Sequence, residues 1–61
     1  MKTLPDNFYT MPRIANTTME EEDLKELLLA TNGWIMACGD HWDIVSEHLG
    51  ASVYRVKLKR R

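Results

Sequence analysis

At 61 residues, with 28% of them charged and a formal net charge of −1, the chain has room for one small domain and a modest core. The single cysteine, Cys38, excludes an internal disulfide and fits a reducing compartment. No stretch approaches the ~20 apolar residues that span a bilayer, and MKTLPDNF has no apolar core of the signal-peptide kind. A cytoplasmic protein is therefore expected, with self-association as the favoured source of extra stability.

The charge is unevenly distributed. Residues 1–30 carry three bases against six acids, and residues 31–61 carry five bases against three acids. All five of those bases, Arg55, Lys57, Lys59, Arg60 and Arg61, stand in the last seven residues. A solvated tail and a polyanion-facing one are both compatible with that.

In chain order, residues 1–18 form the expected extended N-terminal arm. Pro5 and Pro12 each push the preceding residue away from helical geometry. Phe8, Tyr9, Met11 and Ile14 offer apolar contacts, either to the domain's own core or to a second subunit. A helix is expected after Thr18, where Thr18-x-x-Glu21 has capping-box spacing. Glu20 to Asp23 place negative charge at its start, where the helix dipole favours it. Leu24, Leu27 and Leu28 make one buried stripe, and Asn32-Gly33 is a C-terminal stop.

Trp34 to Cys38, WIMAC, is too short an apolar run for periodicity to classify, and its place between two helical patterns favours a short helix. The next helix is expected to open with Asp40 as N-cap. Trp42, Val45 and Leu49 are spaced as an i, i+3, i+7 stripe, and Gly50 supplies the stop.

The stretch IVSEHLGASVYRV resembles the helix-turn-helix of Fis-type and small phage or bacterial regulators. Ser46 is small where two helices cross, Leu49 precedes the turn, Gly50 makes it, Ala51 tucks inward and Ser52 caps the second helix. Val45 and Val56 fill the remaining buried positions. The chain departs from the pattern in having Ile44-Val45 where an alanine pair is usual, and Lys59 where an apolar residue is usual.

The resemblance implies a small all-α domain over residues 19–61, with the helix-turn-helix at about 41–60. It further implies duplex DNA as partner, bound as a homodimer, in regulation of transcription or recombination near the nucleoid. Ser52, Val53, Tyr54, Lys57 and Leu58 would lie on the exposed side of the recognition helix. Arg55, Lys59, Arg60 and Arg61 would meet phosphates.

Other readings stay open. Tyr54, Val56 and Leu58 alternate with Arg55, Lys57 and Lys59, which is the period of a strand. A small adaptor or inhibitor, phage-encoded, that binds a host protein would need no nucleic acid at all. RNA would also suit the basic tail, and Trp34 or Trp42 would suit base stacking if either left the core. Cys38, His41 and His48, with Asp40 or Asp43, are the available metal ligands. Seven residues of helix between the histidines is about 10.5 Å of rise, too far for one ion, so no metal or other cofactor is expected. No phosphate-cradling glycine loop is present, and no enzymatic activity is expected.

Overall fold

The computed structural model describes residues 4–61, and the first three residues of the expected arm lie outside that range. The fold is not all-α. Strands account for 48% of the described residues and helices for 26%, with the strands forming a curled four-stranded antiparallel half-barrel. The elements are α1 (Asn7–Thr10), β1 (Asn16–Glu20), α2 (Glu21–Thr31), β2 (Trp34–Ala37), β3 (Asp40–Gly50) and β4 (Val53–Arg60). The sheet order is β1-β4-β3-β2.

The arm is not simply extended. Pro5 opens a turn rather than breaking one: its carbonyl accepts from the Phe8 N–H at 3.1 Å, and one helical turn follows. A proline suits that position because its missing N–H would have had no partner. The turn drives Phe8 into the core, where it is 0% exposed, while Ile14 on the same segment is 68% exposed.

Helix α2 starts at Glu21, close to the expected place, but by a different device. Thr18 belongs to β1 and pairs with Arg55, and no side chain caps the helix. The Glu21 N–H instead donates to the Ser52 carbonyl at 2.7 Å, which satisfies one of the orphan donors of the first turn and ties the helix to the β3–β4 turn. Leu24 and Leu27 are buried, as their spacing predicts. Asn32 takes the left-handed conformation at φ 58° and ends the helix.

The two remaining expected helices are strands. WIMA is β2, joined to β3 by Cys38 and Gly39, both at positive φ (51° and 76°). Two such residues in a row make the tight hairpin turn whose twist matches that of the strands. The indole N–H of Trp42 then donates to the Ala37 carbonyl at 3.0 Å across this hairpin. The supposed helix-turn-helix is likewise the β3–β4 hairpin. Ala51, at φ 47°, and Ser52 form its two-residue turn, and Gly50, at φ 146°, closes the β-bulge between His48 and Gly50 that precedes it.

Opposed residues in a sheet share a face, so register fixes which side each residue takes. Trp42 opposes Ile35, Ile44 opposes Leu58, and Met19 opposes Tyr54. These residues line the inner face, where Phe8, Leu24 and Leu27 join Met19, Ile35, Trp42, Val56 and Leu58 in one core. Val45 and Leu49, expected to be buried beside Trp42, are exposed. An odd spacing from Trp42 puts both on the other side of a strand.

Phe8→Ala should therefore cost about 3–5 kcal/mol, near the whole stability of so small a domain. Ile14→Ala should stay within about 0.5 kcal/mol. Urea denaturation followed by circular dichroism distinguishes them, and equal losses would contradict this assignment of the two side chains.

Candidate functional site

Both α1 and α2 pack on the inner side of the sheet, as the single buried cluster requires. Among the described residues, no layer covers the outer face. Its rows follow from the register: Met36 and His41; Trp34, Asp43 and Lys59; Val45, Lys57 and Asn16; Glu47, Arg55 and Thr18. Arg61 extends the first row, because its N–H donates to the His41 carbonyl at 3.2 Å and continues the ladder past β4.

This arrangement redistributes the expected site residues. Arg55, Lys57, Lys59 and Arg61 line up along β4 on the open face. At ~3.3 Å per residue the row is about 20 Å long. Val53 shares that face near the hairpin turn, and Ser52 lies in the turn itself. Tyr54 does not: it is half-buried on the inner side and stacks on His48 with ring centroids 4.8 Å apart. Leu58 is buried, and Arg60 opposes the core residue Trp42. The set expected on an exposed recognition helix thus divides between two faces of a sheet.

Two acids share the open face with the basic row on β3. Glu47 lies 4.0 Å from Arg55, a loose contact between exposed groups, so that pair adds little stability. Asp43 opposes Lys59 in the register but is engaged elsewhere, its Oδ1 lying 2.8 Å from Nε2 of His41. Lys57 and Lys59 make no ion pair among the described residues.

Sequence reasoning set Trp34 aside with Trp42 as core, and the structure separates them. Trp42 is buried, whereas Trp34 is 37% exposed on the open face. One side of its indole lies flat on His41, with centroids 4.4 Å apart and planes 9° from parallel. His41 is in turn held at its edge by Asp43, with an Arg61 Nη1 at 3.5 Å from the same ring nitrogen. The clue to Trp34 was its parity relative to Ile35, available only once WIMA was known to be a strand.

A second surface lies at the opposite end of the β2–β3 hairpin. An open cleft of about 440 Å³ is lined by Met11, Pro12, Ile14, Cys38 and Trp42, with Arg13 and Asp40 among its walls. The exposed Met11 and Ile14 of the expected dimer arm border it. Cys38 donates weakly to the Tyr9 carbonyl at 3.5 Å, which holds the arm against the hairpin turn.

His41 and His48 occupy opposite faces of β3, and no group of three metal-ligand side chains forms among the described residues. Nor, among those residues, is any helix long and apolar enough to cross a membrane. No known protein family, curated protein or solved structure matches this chain.

Trp34→Ala should cost about 0.5–1.5 kcal/mol, the value of an exposed aromatic pair, and leave the fold intact. Acrylamide quenching of single-tryptophan variants should show Trp34 accessible and Trp42 protected. A stability loss as large as that of a core truncation would place Trp34 in the core instead.

Proposed function

We propose that this protein binds single-stranded nucleic acid on the open face of its sheet. The observation that carries the reading is the exposed Trp34, braced flat on His41, beside the row Arg55, Lys57, Lys59 and Arg61. Phosphates are drawn by the basic row, and a splayed base gains a π-surface to lie on. Every base has such a surface, so the arrangement favours affinity over sequence discrimination.

The duplex-reading mechanism is replaced, since its recognition helix is strand β4. Among the described residues, the only helix longer than one turn, α2, opens with Glu21, Glu22 and Asp23, a surface that duplex phosphates would repel. A flat or gently curled sheet face accommodates an unpaired strand with its bases turned inward. Lys57 and Lys59 are the strongest candidates for phosphate contacts, and Arg61 follows.

Fluorescence anisotropy with a ten-nucleotide oligouridylate, and with the DNA oligomer of equal length, tests this reading across a salt series. With three to four phosphates neutralised, log Kd should change with log salt by a slope of about 2 to 3. Replacing both Lys57 and Lys59 with alanine should lower that slope by about 1.4. Trp34→Ala should weaken binding by about 1–3 kcal/mol. Absence of binding at low salt would end the proposal, and comparison of the RNA and DNA arms identifies the favoured sugar.

A second reading, an adaptor or inhibitor that docks on a host protein, is favoured by the apolar cleft beside Met11 and Ile14. Its discriminating variant is Ile14→Asp, which adds a charge at an exposed site and should leave the fold intact. On this reading the variant abolishes association with a protein target while Lys57→Ala does not; the nucleic-acid reading expects the opposite dependence in function.

A further inference from the structure

We propose that the open face of the sheet is covered by helix α2 of a second copy of this chain, so that copies associate head to tail. Among the described residues both helices pack on the inner side, and a sheet face that carries apolar side chains is stabilised by a second layer. Trp34 opposes Asp43 and Asp43 opposes Lys59, so the three form one row across the open face. From β4 to β2 that row is a cation, an anion and an aromatic ring. Each step is one strand spacing, which puts the anion about 5 Å and the ring about 10 Å from the cation.

The solvent side of α2 carries the complement in the same order. Leu24 and Leu27 turn inward, whereas Glu22, Lys25 and Leu29 are exposed at i, i+3 and i+7, one stripe of a helix. Leu29 is 82% exposed, more than any other large apolar side chain among the described residues. Along the axis Lys25 lies about 4.5 Å and Leu29 about 10.5 Å from Glu22. A helix laid across the strands therefore sets Glu22 over Lys59, Lys25 over Asp43 and Leu29 over the Trp34 ring in a single register. Lys25 is held only loosely, 4.0 Å from Glu21 between exposed groups, so it can turn to a new partner. The stripe and the row lie on opposite sides of the molecule, so one pair of copies cannot satisfy both. The contact is heterologous, and each added copy leaves one helix and one face free for the next. It requires no nucleic acid, so failure of the oligouridylate to bind would leave it standing.

Sedimentation velocity of the full chain, freed of nucleic acid and taken up to about 1 mM at low and high salt, tests the contact. Species larger than a dimer should grow in with concentration and recede with salt, because the charged pairs are exposed. Leu29→Asp removes the helix end of the contact and Lys59→Glu the sheet end. Both sites are exposed, and circular dichroism checks that each variant keeps the fold. Each variant alone should sediment as a monomer. Mixed in equal amounts they should form a 1:1 dimer that grows no further, because the Lys59→Glu chain keeps its helix and the Leu29→Asp chain keeps its face. An unaltered chain that stays monomeric, association that stops at a dimer, association that persists in either variant, or a mixture that stays monomeric would each overturn the proposal.

Discussion

The alternation of side chains along β4 governs everything else in this molecule. The strand pairs with β1 on one side and β3 on the other, so its parity sets the face of both neighbours. Val56 and Leu58 point into the core, with the half-buried Tyr54 beside them, and Arg55, Lys57 and Lys59 point away from it. A slip of one residue would send three cations inward and the apolar set into water, so register here is strongly specified. The same constraint that builds the core therefore assembles the basic row, with no further sequence cost.

Helical and extended conformations give those cations opposite characters. At 100° per residue, Arg55, Lys57, Lys59 and Arg61 on a helix would fall on two nearly opposed sides, because two residues turn the helix by about 200°. On a strand, i, i+2, i+4 and i+6 share one face. The charges concentrate only because the segment is extended. The acids of α2 stand across the sheet from that row, packed on the inner side, so a net charge of −1 conceals a polarised molecule.

Helix α2 was legible in the sequence because its leucine stripe, acidic start and Asn32-Gly33 stop all agree. The alternation of β4 was legible too, yet outweighed by the set Ser46, Leu49, Gly50, Ala51 and Ser52. That set imitates a helix-turn-helix because Gly50 serves any reversal that needs positive φ. The apparent helical stripe Trp42, Val45 and Leu49 arose from the uncovered face: with no second layer above it, β3 carries apolar residues on both sides. WIMAC had no period to read, and Cys-Gly lacks the Asn-Gly or Asp-Gly signature of a tight hairpin. The charged members of the candidate site were therefore visible as residues, but their grouping and the exposure of Trp34 were not.

Small size links these facts physically. Among the described residues, one eleven-residue helix, about 16 Å long, and one helical turn are the helical material that covers four strands, and both go to the same side. The other face must then remain soluble by itself. Lys57, Lys59 and the charged partners on β3 achieve this around Trp34, Met36 and Val45, which a neutral open sheet would present as an aggregation surface. A face made soluble by cations spaced about 6.6 Å apart along a strand, with a braced aromatic ring among them, is also chemically suited to a flexible polyanion. Solubility and the proposed recognition would draw on the same residues, so substitutions at Lys57 or Lys59 would act on both at once, while Trp34 would separate them: an exposed ring contributes little to the fold, and a stacked base would depend on it directly.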